Sequence, residues 1–186
     1  MQLATKRLLI RPWQGKDLVP FARINADPHV RHFYYPSILT PAQSNEIIAQ
    51  CTQHLSDHGF AFLAMERRTD GSLIGGAGLS WTNDIPDGPH VEIGWILGRP
   101  HWRQGYAKEA GHAWLAHGWS VGLHEIVGFT SKVNTPSRSL MKSLGMKHNP
   151  VDDFADPTVP AENPLSPHVL YRQQHPARHT GSVKKY

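Results

Sequence analysis

Val91-Glu92-Ile93-Gly94-Trp95-Ile96-Leu97-Gly98-Arg99-Pro100-His101-Trp102-Arg103-Gln104-Gly105-Tyr106-Ala107-Lys108-Glu109-Ala110 decides the fold. Residues 91–97 read as a strand. Side chains alternate along a strand, so Val91, Ile93, Trp95 and Leu97 share an apolar face while Glu92, Gly94, Ile96 and Gly98 share the other. A carboxylate beside two glycines leaves room for a ligand to lie against the backbone. A glutamate on the solvated face of a half-exposed sheet gives the same pattern. From Gly105 to Trp119 the chain reads as a helix. Its N-terminus presents unpaired N–H groups and the positive end of the helix dipole, a ready anion site. Arg103 adds a positive charge. A turn glycine opening a helix would look the same.

Working outward, residues 6–13 read as a first strand ending at Pro12, and 14–26 as a helix stopped by Asp27-Pro28. Phe33, Tyr34 and Tyr35 fall in an irregular aromatic stretch. Thr40 with Pro41 opens a second helix running to about Ser56, with Ile47, Ile48, Cys51 and Leu55 on one face. Residues 60–66 and 73–81 read as strands joined at Asp70-Gly71. After 91–97 and the helix come a strand over 124–131, a helix capped by Thr135 and ended by Gly145, a proline-rich connection over 150–167, and a short edge strand at 169–171. Three hairpin-linked strands followed by a strand–helix–strand crossover predict a mixed sheet with helices on both faces, an α/β (α+β) fold.

Composition narrows the classes. With 39% apolar and 18% charged residues, the 186-residue chain is globular. One cysteine excludes an internal disulfide and any CxxC zinc motif. No apolar run is long enough to cross a membrane, and the start lacks a secretory signal, so a cytoplasmic protein with no membrane partner is expected. The net charge of +4 does not favour nucleic acid. Residues 1–171 carry fifteen Lys/Arg and fifteen Asp/Glu, and the excess comes from Arg172, Arg178, Lys184 and Lys185. The expected organisation is one domain over 1–172 and a basic tail over 173–186.

Two phosphate-binding motifs are excluded. GxxxxGK[ST] is absent, and Gly75-Gly76-Ala77-Gly78 leads into a strand-like Leu79-Ser80-Trp81 rather than a helix, which excludes a dinucleotide turn. His54 and His58 share a helix face but lack an HExxH motif and an acidic third ligand, so no metal site is expected.

Trp102-Arg103-Gln104-Gly105-Tyr106-Ala107 resembles the acetyl-CoA loop [QR]-x-x-G-x-[GA] of the GNAT superfamily of N-acetyltransferases. Trp102 departs from the first position in the manner of the ribosomal-protein N-terminal acetyltransferase branch, and Arg103 replaces that branch's usual glycine. Asn134 to Met146 is similar to the family's second motif, N-x-x-S-x-x-x-x-x-x-L-G-[FM], and residues 5–12 match the branch's opening strand.

The resemblance implies a six- to seven-stranded sheet in which strands four and five, here 91–97 and 124–131, splay apart. It places the pantetheine arm of acetyl-CoA on backbone groups of Ile96, Leu97 and Gly98. The pyrophosphate would lie on the N–H groups of Arg103, Gln104, Gly105, Tyr106 and Ala107, and the thioester end near Asn134 and Ser137. The implied reaction is direct acetyl transfer to a primary amine, either a protein α-amino group or a small molecule; monomer and homodimer stay open. Glu92 is a candidate base with a structural alternative, and His90 is a second candidate. Ser137 is a candidate proton donor to the thiolate, or an ordinary first-turn serine. The N–H of Leu97 would stabilise the oxyanion. Cys51 reads as a buried core thiol with no catalytic part. Phe33, Tyr34 and Tyr35 read either as an acceptor-pocket wall or as core, and the segments 83–89 and 150–167 as specificity loops. The competing class is a non-catalytic acyl-CoA-binding sensor.

Overall fold

The computed structural model describes residues 1–176. The order is β1 (Leu3–Ala4), β2 (Leu8–Arg11), α1 (Leu18–Asn25), α2 (Pro41–His58), β3 (Phe62–Arg67), β4 (Leu73–Thr82), β5 (His90–Leu97), α3 (Tyr106–Ser120), β6 (Glu125–Ser131), α4 (Thr135–Ser143), β7 (Lys147–His148), β8 (Phe154–Ala155) and β9 (Pro167–Gln174). They form a single mixed sheet in the order β1-β2-β3-β4-β5-β6-β9-β7, with β8 also pairing with β9. Six strands have four or more residues, and β1, β7 and β8 are two-residue additions that raise the described count above the expected six or seven.

Local chemistry explains the long helices. Thr40 Oγ1 accepts the N–H of Gln43 and the Gln43 side chain accepts the N–H of Thr40, a capping box with Pro41 at the first turn. Gly59, at φ +77°, ends that helix in the left-handed region. At α4 the cap is Asn134 rather than Thr135. Its Oδ1 accepts the N–H of Ser137 at 3.2 Å, and Thr135 is the first helical residue.

Both faces of the sheet are covered. On one, Tyr106, Ala110, Trp114 and Leu115 of α3 and Met141 of α4 pack against Leu79, Val91, Ile93 and Ile126. On the other, Phe21 of α1 and Ile48 of α2 pack with Ile96 and Phe62. The glycines of β4 allow close approach: a Cβ on Gly76 would lie 2.3 Å from the Phe62 ring and one on Gly78 2.2 Å from the Ala61 carbonyl. The register of the β3–β4 pair shifts between Met65 and Glu66, which face Gly75 and Leu73, so Ile74 is the extra residue and the glycine-bearing strand β4 is the bulged one.

The last strand is not an edge. β9 has β6 on one side and β7 and β8 on the other, and Val169, Leu170 and Tyr171 are at most 1% exposed. The 150–167 connection doubles back to supply β8, which covers an edge that would otherwise be open. The boundary expected after residue 172 falls inside β9, and the His175 N–H still bonds the His124 carbonyl. The rest of the expected tail, 177–186, lies outside the described residues.

The feature that positions the site is an interruption. β4 and β5 pair antiparallel over eight positions, Gly75↔Leu97 to Thr82↔His90. β5 and β6 run parallel and pair only at Glu92↔Val127. Beyond that point the two strands diverge.

Candidate active site

The divergence opens into a cavity of about 1060 Å³. Its floor is the free edge of β5. In an antiparallel ladder, alternate residues point their backbone groups at one neighbour and then the other. Gly98 donates its N–H to the Ile74 carbonyl, so Gly98 and, two residues back, Ile96 face β4. Trp95 and Leu97 therefore face the gap. The Trp95 carbonyl accepts the Tyr34 hydroxyl at 3.3 Å, and the Leu97 carbonyl accepts the Trp102 indole N–H at 2.7 Å. The edge available to a bound chain is thus Trp95 and Leu97, not the sequence-derived set of Ile96, Leu97 and Gly98. Ile96 lines the cavity, while Gly98 does not.

At one end the chain enters α3. Arg103 sits at φ +59° and Gly105 at φ +80°. None of the six consecutive N–H groups of residues 103–108 finds an acceptor among the described residues. Such a row of unpaired N–H groups at a helix start is a concavity for an anion. Arg103 and Lys108 are the Lys/Arg residues in the cavity lining, and both belong to this row. Gln104 contributes differently. Its carbonyl accepts Arg7 Nη1 at 2.8 Å and its side chain donates to the Pro100 carbonyl, so it shapes the loop from outside the cavity.

Arg7 was overlooked in the sequence. Its guanidinium lies 4.4 Å over the Tyr106 ring and pairs with Glu109 at 2.6 Å, and Glu109 also accepts the Arg7 N–H and the Thr5 hydroxyl. These donors hold the Glu109 carboxyl below the usual carboxylate range despite its partial burial, which acts the other way. The first strand is thereby clamped to the first turn of α3. Arg7 standing near a fingerprint far away in sequence gives no signal that the two meet.

At the other end are carboxylates and aromatic rings. Glu92 lines the cavity and accepts no hydrogen bond among the described residues. Burial pushes its carboxyl up to about 8, and the charge of Asp84 adds to the rise. Asp84 is exposed and lines the cavity; its N–H donates to Thr82 Oγ1 at 3.2 Å, and its carboxylate has no hydrogen-bond or ion-pair partner among the described residues. Phe33, Tyr34 and Tyr35 form a wall. Burial raises the Tyr34 phenol; the Arg31 charge opposes this and that of Glu92 adds to it. Both segments read as specificity loops reach the lining, the first through Asp84 and the second through Asp156, Thr158, Val159 and Leu165.

Other sequence-derived residues separate into two groups. Asn134 and Ser137 line the cavity. The Asn134 amide is committed to Thr130 Oγ1 at 2.9 Å, tying the end of β6 to the start of α4, while the Ser137 hydroxyl makes no hydrogen bond among the described residues. His90 is not brought to the cavity. Its ring faces Glu125 at 3.8 Å and the Pro86 carbonyl at 3.3 Å. Cys51 is half-buried rather than fully buried, and burial pushes its thiol up to about 11. His54 accepts the Trp81 N–H, and no group of three or more metal-ligating side chains occurs among the described residues. No described helix is long and apolar enough to cross a membrane.

Residues 7–147 match the family model described as an acetyltransferase (GNAT) domain. The chain belongs to the GNAT acetyltransferase family. It is similar to the uncharacterized N-acetyltransferase YnaD of Bacillus subtilis, 28% identical over 165 residues that cover 88% of this chain and 91% of that protein. Among solved structures, the GNAT-family acetyltransferase of Bacillus anthracis superposes with a TM-score of 0.77 at 22% identity, covering 94% and 99% of the two chains. Spermidine N-acetyltransferase of Vibrio cholerae, solved with CoA and spermine, shares the fold with a TM-score of 0.71 at 16% identity, covering 92% and 97%. As a GNAT acetyltransferase the chain is an acyltransferase, and its mixed α/β fold matches that of the family's solved structures.

Proposed function

We propose that this enzyme transfers the acetyl group of acetyl-CoA directly to a primary amine. The observation that carries the reading is one cavity with two unlike ends, six unpaired N–H groups with Arg103 and Lys108 at one and the unpartnered Glu92 at the other. The residues fit the cosubstrate. A diphosphate needs donors and positive charge, and residues 103–108 offer both. An extended amide-bearing arm needs a strand edge, and Trp95 and Leu97 offer their N–H groups there, their carbonyls already accepting Tyr34 and Trp102. Acetyl-CoA supplies the activated acetyl thioester.

The chain's own residues then have separable tasks. An amine attacks only when neutral, and a free amine is mostly protonated near neutral pH. Glu92 takes that proton, directly or through water. A carboxyl raised to about 8 is a far better match to an amine than an ordinary carboxylate. The N–H of Leu97 faces the developing oxyanion, and the Ser137 hydroxyl returns a proton to the departing thiolate. His90, turned toward Glu125, has no part in the transfer.

A positively charged acceptor fits the far end. Asp84 and Asp156 line the cavity, Glu92 adds a third negative charge once it gives up its proton, and the Lys/Arg residues that line it all lie in the diphosphate row. This favours a cationic small-molecule amine, and the spermine-bound neighbour of the same fold is consistent with it. A protein α-amino group is the alternative suggested by the Trp102 motif.

Thiol release from acetyl-CoA, measured across mono-, di- and polyamines and N-terminal peptides, tests the reading. Amine-dependent release that collapses in Glu92→Gln is the expected result. Saturable CoA binding with no release for any amine would instead make the chain an acyl-CoA sensor.

A further inference from the structure

The stretch between α1 and α2 carries the aromatic wall of the cavity, yet it has no ladder of its own to hold it. Its backbone carbonyls need donors from elsewhere. Backbone N–H groups reach the Asp27 and Arg31 carbonyls, and a single side chain supplies two donors to the rest. Arg31, 6% exposed, donates Nε to the Ser37 carbonyl at 3.0 Å and Nη2 to the Pro36 carbonyl at 2.9 Å, and Nη1 lies 3.5 Å from Asn25 Oδ1. Asn25, 1% exposed, donates in turn to Ser44 Oγ of α2 at 3.0 Å, and its carbonyl accepts the Leu39 N–H. No carboxylate pairs with Arg31 among the described residues, so a buried guanidinium is spent on neutral partners. Desolvation accordingly pulls it below its ordinary range.

The same guanidinium has a second contact. Its central carbon lies 4.5 Å from the centre of the Tyr34 ring, and the Tyr34 hydroxyl ends on the Trp95 carbonyl at the free edge of β5. A planar cation that both ties the loop and stacks under the ring fixes where the ring stands. We propose that Arg31 is a positioning residue that acts through Tyr34: it locks the phenol over the β5 edge beside Glu92 and so sets the geometry in which the acceptor amine meets the thioester. The inference rests on the acetyl-transfer reading above for its functional consequence, but the Arg31–Tyr34 coupling stands on the contacts alone. Lysine cannot replace Arg31, because an ammonium lacks the fork that reaches two carbonyls and the flat face that meets the ring.

A double-mutant cycle on Arg31→Lys and Tyr34→Leu tests this in the full-length protein. Each single variant is expected to lower kcat/KM for the amine by about tenfold, since a misplaced wall costs orientation, while the Kd for CoA stays within about twofold. The double variant is expected to lose about tenfold as well, because the two substitutions break one device. Losses that multiply to about a hundredfold, or a CoA Kd that weakens in step with the amine kcat/KM, would overturn the proposal and leave Arg31 with a general structural role. Tyr34→Phe keeps the ring and should retain the coupling to Arg31, which separates the stack from the hydroxyl. If the wild type transfers acetyl to no amine, the acetyl-transfer reading fails. The coupling is then read from thermal unfolding, where Tm losses of the single variants that simply add in the double would overturn the pairing.

Discussion

The two ends of the cavity are built in opposite ways. The anion end is made of backbone, the N–H groups of 103–108, held on one side by Arg7 and Glu109, which are not part of the cavity lining, and on the other by the Trp102 indole on the Leu97 carbonyl. The end proposed for the acceptor is made of side chains, with Tyr34 from the α1–α2 stretch meeting Asp84 and Glu92 from the loop before β5 and from β5 itself. A backbone site tolerates changes of side chain but not of φ. A side-chain site tolerates the reverse. Substitutions should therefore divide cleanly between coenzyme affinity and turnover.

Glu92→Gln should break the comparison most forcefully. Loss of the proposed base is expected to lower kcat by about a hundredfold or more, with the CoA Kd unchanged within about twofold in calorimetry. A parallel loss of CoA affinity would show that the two ends are not separate.

The pH response is next in size. The Glu92 carboxyl, raised to about 8, holds its proton at neutral pH and gives it up only above that value. Turnover at saturating substrates should fall about tenfold per pH unit below that point, a limb that Glu92→Gln lacks. Stability runs the other way. The folded state binds this proton more tightly than the unfolded chain, so its contribution is present at low pH and is lost as pH rises from the ordinary carboxylate range through about 8. Glu92→Gln should gain on the wild type by about 5 °C in Tm between pH 5 and pH 9. A gap that is flat with pH would place Glu92 in an unperturbed setting.

Two smaller effects sharpen the anion end. Gly105→Val forces a branched side chain to φ +80° with its Cβ against Arg7, and CoA affinity should weaken by about tenfold with little change in the turnover of bound complexes. Arg7→Met should weaken CoA by about threefold and lower Tm by about 3 °C, because the loop loses its clamp while its N–H groups remain. A larger effect of Arg7 than of Gly105 would mean that charge, not backbone, holds the anion.

The same contrast explains what could be read from the sequence. The strand at 91–97, the helix from Gly105 and the unpaired N–H groups at its start were legible because backbone requirements leave local marks: alternation, a glycine at positive φ, a cap. The splay was accessible through the family motif, and the structure locates it in the lone Glu92↔Val127 pair. Which strand residues face the gap was not legible, because that depends on the β4–β5 register, which a one-residue shift inverts. Arg7 and Arg31 were missed for a related reason. Each works on a site through partners set by the tertiary fold, and an arginine carries no local sign of which carbonyls it will reach. The edge assignment of β9 failed because β7 and β8 return to cover it, and their two-residue lengths lie below what periodicity can detect.

The central claim, that backbone amides of residues 103–108 hold the diphosphate, is tested most directly by amide shift mapping with CoA and with pantetheine, which lacks the diphosphate. The largest amide shifts are expected at 103–108 with CoA, and shifts confined to the β5 edge near Trp95 and Leu97 with pantetheine. Binding of CoA that leaves the 103–108 amides unmoved would contradict it.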